Sequence, residues 1–518
     1  MRRRALLSLC VLGAAVAACW LSGCRDSARQ DASTVTVLIE SSPASLDPRV
    51  GVDAQAEHID MLLFDALLRK DKKFQLQPDL AQSWQMPDPR TYIFHLRTDV
   101  RFHNGQPLTA RDVVWTLDSM RNGTVITPKA SALASVERVE TPDAHTVILH
   151  LRQPDAALLW NLSDGALGIV PYGSGRDFQQ HPIGTGPYRF VRQEVDKEVV
   201  LERNPEAWSG VPSISTLRFA VVPDAMTRAL ELQKGSADVA VNAFPMDMAW
   251  ALRRDPHLVV ASVPGNNVQY LTLNLRDPYL RHRRVRQAIA AAINRPLIVA
   301  TLLHGQARLA DSLLPPEHWA YAAADAAVDY DPDRARRLLD AAGFPAGRDG
   351  IRFHVQMKTS TDETARLLSM VLQQELRQVG IALDIQSYEF ATFYADISQG
   401  RFGMYSLRWI GGNEDPDIFR YALATASEPP HGANRGDYSN PEVDALLQQA
   451  QQSVDVPTRR ALYAQVQAIV ARDMPVLPLW YINSEVIYNR RLSGITPAPS
   501  GSFNFLRTAS VHPANQNP

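Results

Sequence analysis

The stretch PGNNVQYLTLNL, Pro264 to Leu275, decides the architecture. Its first four residues are strong turn formers and break the chain before the strand-like run Tyr270 to Leu275, so an interdomain crossing is expected there. Upstream, a strand at Thr34 to Glu40 is stopped by Ser41-Ser42-Pro43. An amphipathic stretch follows at Ile59 to Leu68, then a strand at Tyr92 to Arg97, a helix that Thr109 caps with Asp112 three residues on, and a strand at Val147 to Leu151. Val199 to Glu202, Leu217 to Val222, a helix from Ala225 to Lys234 and Asp238 to Val241 complete a mixed sheet with helices. Downstream the alternation is more regular. Helices are expected at Val285 to Leu303, Asp333 to Ala342 and Asp362 to Val379, the last two stopped by Gly343 and Gly380. Strands are expected at Ile351 to Met357, Ile381 to Ile385 and Gly403 to Trp409. Two more helices, Pro441 to Gln452 and Thr458 to Arg472, precede Leu477 to Ile487, which can carry the chain back to the first domain.

The strand Gly403 to Trp409 runs into RWIGGNEDPD, Arg408 to Asp417, an outward-facing loop at a strand's carboxyl end, where open α/β sheets bind ligands. A calcium loop starting at Asn413 would need glycine and a bidentate glutamate where Ile418 and Ala424 stand. Asp415 and Asp417 flank Pro416, either as a hydrolytic pair or, more in keeping with acids in a turn, bonded to their own backbone. Trp409 fits a core and a ligand wall equally well.

With 518 residues, 45% of them hydrophobic, the chain is long enough for two or three ordinary cores. Formal charge is −2, and setting aside Arg2, Arg3 and Arg4 leaves 50 basic against 55 acidic residues, which gives no sign of a nucleic-acid partner. Those arginines, the apolar run Ala5 to Trp20 and Leu21-Ser22-Gly23-Cys24 resemble a bacterial lipoprotein signal. The resemblance implies cleavage before Cys24, a lipid on its thiol, and residues 25–33 as a tether on the periplasmic side of the cell envelope. Of Cys10, Cys19 and Cys24 only the last would survive, leaving no disulfide, thiolate zinc or cysteine nucleophile. No HExxH, GxSxG or phosphate-loop pattern occurs, so neither catalysis nor a cofactor is supported. GTGPYR, Gly184 to Arg189, lacks the third glycine of a dinucleotide fingerprint and reads as a structural turn.

Seven segments in order carry a resemblance: Leu46-Asp47-Pro48, RFHNGQPLTARDVVWTL (Arg101 to Leu117), PIGTGPYRF, YLTLNL with VRQAIAAAINR, DPDRARRLLDAAGF, RQVGIALDI and YSNPEVDALL. They span about Leu46 to Trp480, and together the chain resembles a family 5 extracellular solute-binding protein of bacterial ABC importers, the group that binds peptides, nickel chelates and opines. That resemblance implies an α/β, two-lobed periplasmic-binding-protein fold (class II, large three-subdomain type) with mixed sheets and a hinge of two crossings. Lobe 1 is expected at 34–264 plus 487–518, with an extra subdomain at about 52–172, and lobe 2 at 265–486. The chain is expected to act as a monomer with a peptide or other small solute, an ABC permease and ATPase, and the membrane as partners.

The resemblance also places the loop after Trp409 on the second lobe's face of the cleft. In di- and oligopeptide binders of this family an aspartate shortly after the matching tryptophan holds the peptide's amino terminus, and here that position is Gly412. An arginine for the dipeptide carboxylate aligns with Thr359. Candidate ligand contacts are Phe390, Arg408, Trp409, Gly412, Asn413, Asp415 and Arg435 on lobe 2, with Ser41, Lys129 and Asn267 opposite. For Phe390, Lys129 and Arg435 a packed or solvated side chain fits as well. A non-peptide ligand, a metal chelate or an opine, is the alternative in the same fold, and a sensor or chaperone role is another.

Overall fold

The computed structural model describes residues 33–51, 53–71, 73–163, 167–323, 329–409 and 415–512. Cys24, Gly412 and Asn413 therefore lie outside the described residues. Two long strands, Leu258–Leu273 and Val476–Asn489, pair antiparallel and form the spine of an eleven-stranded sheet. To one side of the spine lie Met404–Trp409, Phe353–Ser360 and Ile381–Tyr388, with Phe353–Ser360 parallel to both of its neighbours. To the other lie Val239–Val241, Thr34–Ile39, Thr216–Val221, Glu198–Arg203 and Tyr188–Glu194. The chain therefore crosses between the halves of the sheet along two paired strands.

At Pro264 the structure corrects the expected break. The residues Pro264 to Asn266 form a bulge inside one 16-residue strand, between the pairs Val263 with Ser484 and Asn267 with Ile482. Pro264 has no N–H to offer a ladder, and a bulge is where a strand tolerates that. Gly265 next to it lies so close to the partner strand that a Cβ there would meet the Ile482 carbonyl oxygen at 2.0 Å. The expected helix Val285 to Leu303 is also two helices, Arg283–Ala292 and Arg295–Thr301. The Asn294 side chain accepts the Leu297 N–H, and Pro296 sits in the new first turn.

Each half has its own core. Leu271, Leu339, Leu372, Met404 and Leu477 belong to one, and Val35, Val37, Phe219, Val239 and Val486 to the other. A third core gathers Phe94, Leu96, Val113, Leu117 and Leu149 under a separate four-stranded sheet, ordered Ala81–Asp88, Thr91–Leu96, Thr146–Leu151, Val136–Asp143. The helix Ala110–Arg121 packs there, with the Thr109 N–H and hydroxyl both donating to Asp112 at 2.8 Å. This unit reaches the far half of the molecule: Phe74 joins the core around Trp319 and Tyr463, and Trp160 stacks on Trp319 with centroids 5.9 Å apart.

Two of the motifs meet at one turn. The His103 backbone N–H donates to the Gly184 carbonyl, its ring accepts the Gly184 N–H at 3.1 Å through Nδ1, and Nε2 lies 3.0 Å from the Gly186 carbonyl. Those contacts fix the neutral ring with its proton on Nε2. Glycine is required because a Cβ at 184 would stand 1.9 Å from the Leu63 carbonyl oxygen, and one at 186 would stand 2.5 Å from that of Leu62.

Candidate functional site

A strand alternates its side chains between two faces, so Arg408 and Trp409 diverge. Arg408 pairs with Gln269, two residues after Asn267 on the neighbouring strand, and all three face a cavity of about 1100 Å³, part of it open to solvent. Its floor is completed by Trp480 and Ile482 from the return strand. One wall is the segment Asn242 to Met246 with Ala249, from the helix Met246–Leu252. The facing wall comes from Leu302 and Leu303 and from the first turns of the helix Glu363–Arg377. The cavity thus sits over both crossing strands, between the two halves.

Its charges are unevenly matched. Glu485 is ion-paired to Arg253 at 2.6 Å, and burial pushes its carboxyl above the usual range although that arginine pulls it down. Asp362 caps its own helix by accepting the Ala365 N–H at 2.8 Å. Glu40, at the end of the first strand, lies 3.3 Å from Arg228. Arg408 has no ion pair or hydrogen bond among the described residues. Its side chain is exposed at the cavity, and the surrounding protein lowers its pKa despite the attraction of Asp362 and Glu40. The Asn267 side-chain oxygen is buried and also lacks a donor among the described residues.

Trp409 faces the other side, tilted against Tyr270 and edge-on to Tyr421, both at 5.9 Å. There it joins two more predicted residues. Arg435 donates to the Tyr394 hydroxyl at 2.7 Å with its guanidinium over that ring, and Phe390, 53% exposed, stacks on the same tyrosine. The candidates on the second half therefore fall into two groups on opposite faces of one strand.

Three candidates lie elsewhere. Lys129 lines a cavity of about 800 Å³ within the first half, its amine donating to the Pro48 carbonyl at 2.9 Å beside Asp60. It is not a wall of the cavity over the crossing strands. Ser41 is exposed at the end of the first strand and does not line that cavity. The Asp415 carboxylate is buried, takes Arg459 at 3.1 and 3.2 Å and accepts the Asp417 N–H at 2.8 Å. Asp417 in turn binds Arg420. Both acids serve their own turn and a buried arginine, and neither presents a free carboxylate. Sequence reasoning missed Asn242, Phe244, Gln269, Asp362 and Glu485. Of these Gln269 was legible, since strand period puts it on the face of Asn267.

The model of the bacterial extracellular solute-binding proteins, family 5 Middle, matches residues 75–430. Di/tripeptide-binding protein 1 of Pseudomonas aeruginosa (strain UCBPP-PA14) is 29% identical over 482 residues, covering 86% of this chain and 89% of that protein. The structure of HbpA2 from Haemophilus parasuis superposes with a TM-score of 0.81 at 26% identity, over 92% of this chain and 99% of that one. NikZ from Campylobacter jejuni, in complex with Ni(L-His), does so at 0.77 and 25%, over 92% and 99%. The family is made up of binding proteins and not enzymes. With most of its length matched and the two-lobed fold in common, the chain belongs to family 5 of the bacterial extracellular solute-binding proteins.

Proposed function

We propose that this protein captures a peptide or peptide-like solute between its lobes and delivers it to an ABC permease and ATPase. In this reading the protein is a monomer held at the periplasmic side of the envelope by a lipid on Cys24. The lobes are 34–264 plus 487–518 and 265–486, with an extra subdomain at about 52–172. The carrying observation is the cavity over the crossing strands, with walls from both halves and with Asn267 and Arg408 unpaired in it. A buried acceptor without a donor suits a ligand N–H, and peptide backbones supply those in series. The di/tripeptide-binding relative supports the same ligand class. Lobes that meet around a ligand are stabilised in the closed form by it.

Mass spectrometry of what co-purifies with the chain beginning at Arg25 tests the ligand class. Peptides recovered intact bear the reading out, whereas recovery of a metal chelate or another non-peptide solute replaces it with the rival ligand. Cys24→Ser should yield a soluble, folded protein that takes up no radiolabelled palmitate; equal labelling of both forms would remove the anchor from the proposal.

A further inference from the structure

Each acid at the cavity already has a partner within the protein, two of them a cation and the third a backbone amide. Glu485 has Arg253, Glu40 has Arg228 and Asp362 has the amide of its own helix. Asp415 and Asp417, seven and nine residues after Arg408 in the sequence, are held by Arg459 and Arg420. Arg408 is the cation left over. Its strand neighbour across the ladder, Gln269, donates to the Ser406 hydroxyl at 2.8 Å and supplies no charge.

A guanidinium presents a planar fork of N–H donors that matches a carboxylate, and it stays charged across the physiological range. Among the described residues no carboxylate lining the same cavity is free of both an ion pair and a capping bond, since Glu485 holds Arg253 and Asp362 caps its helix, so the recognition is one-sided. Resting on the solute-capture reading above, we infer that the cavity takes an anionic group of its ligand, with Arg408 as counter-ion, and sets no requirement for a ligand ammonium. The substrate class is then peptide-like acids, with free or blocked amines accepted alike. The neighbouring Asn267 oxygen receives an N–H of the same ligand.

The test uses four equimolar probe libraries: tripeptides with uncharged side chains and free termini, the same tripeptides N-acetylated, the same C-amidated, and small non-peptide carboxylates. Each is incubated with wild type, Arg408→Gln and Arg408→Lys, and protein-bound material is quantified by mass spectrometry after gel filtration. Wild type should retain the free and acetylated libraries within about tenfold of each other and should lose the amidated one. Arg408→Gln should lose about thirtyfold or more, the low end for removing one partner of a charge pair that the bound ligand and the closing lobes cover, and Arg408→Lys should lose less. Melting should be unchanged in both variants, because Arg408 has no partner to abandon among the described residues. Equal retention of amidated and free peptides by wild type would overturn the charge inference while leaving peptide capture standing. Loss of the acetylated library alone would overturn the amine clause. Carboxylates held through Arg408 with no peptide held would retain the charge inference and remove the peptide reading, and binding in no arm would overturn the inference. The wild-type arms decide even if a variant fails to fold.

Discussion

Asp415→Asn should damage stability and leave ligand preference alone. The side chain of Arg459 is 1% exposed and that of Asp415 12%, and their contacts at 3.1 and 3.2 Å are Arg459's ion pair among the described residues. Asparagine keeps the shape and can still accept the Asp417 N–H, so the change isolates the charge. Breaking a buried pair by removing one partner costs about 3–5 kcal/mol, because the other charge stays buried and uncompensated. Arg459 also lies 5.4 Å from the Trp160 ring and 5.3 Å from that of Trp319, and such cation–π contacts hold about 0.5–2 kcal/mol each, so the expected loss is at the lower end, about 3 kcal/mol. A two-lobed protein need not unfold in one step, so the assay is amide hydrogen exchange along the helix Val456–Asp473, where the loss shows as faster exchange. In a double-mutant cycle, Asp415→Asn with Arg459→Met should cost less than the sum of the singles, by about 1 kcal/mol or more. The reasoning fails if Asp415→Asn exchanges like wild type and instead stops retaining free amines while still holding their acetylated forms. That outcome would make Asp415 a ligand group.

Gly184→Ala, which must force a Cβ to 1.9 Å from the Leu63 carbonyl oxygen, should cost about 4 kcal/mol or more and leave little soluble protein. Gly175→Ala, where an added methyl meets nothing within 4 Å, is the neutral control, and equal yields of the two would refute the packing argument. His103 and His58 are half-buried rings whose pKa values desolvation lowers to about 4, against 6.5 when exposed. The unfolded chain then takes up protons first as pH falls. Stability is full above about pH 6.5 and declines towards pH 4, by up to about 1.4 kcal/mol per pH unit for each ring. Urea midpoints across that range check this, and a flat profile in wild type would contradict it. Trp160→Ala removes the stack on Trp319 that joins the four-stranded unit to the far half. Scattering should show a larger radius without ligand, and affinity should fall by a similar factor for every ligand, about 2- to 12-fold for a contact of 0.5–1.5 kcal/mol. A loss confined to one ligand would place Trp160 in ligand contact instead.

What could be read from sequence was what short-range chemistry controls. Gly343 and Gly380 end their helices at φ of 88° each, and Thr109 with Asp112 caps the start of Ala110–Arg121, because these signals act within one turn. The strands Ala81–Asp88 and Val136–Asp143 gave no signal. They are edge strands with mostly exposed side chains, so neither carries the apolar alternation that reveals a strand. Pro264 misled for a different reason: whether a proline and glycine end a strand or bulge it depends on Ile482, more than 200 residues away, whose backbone fills the space beside Gly265.

The same division runs through the site. Strand period alone puts Arg408 and Trp409 on opposite faces, so one dipeptide could never supply both a charged contact and an aromatic wall to one small ligand group. Which face borders the cavity is fixed by what comes across from elsewhere. Asn242 to Met246 close over the side of Arg408, whereas Tyr270, Tyr394 and Tyr421 gather on the side of Trp409. Asp415 follows the same logic, since its partner Arg459 lies 44 residues on, in a helix whose own pattern shows an arginine but not the carboxylate it will meet. The character of each side chain is local, but its task is set by long-range register. That is why the loop's residue types suggested a cleft rim, while the chemistry of the cavity came from Arg408 being the cation that no described neighbour answers.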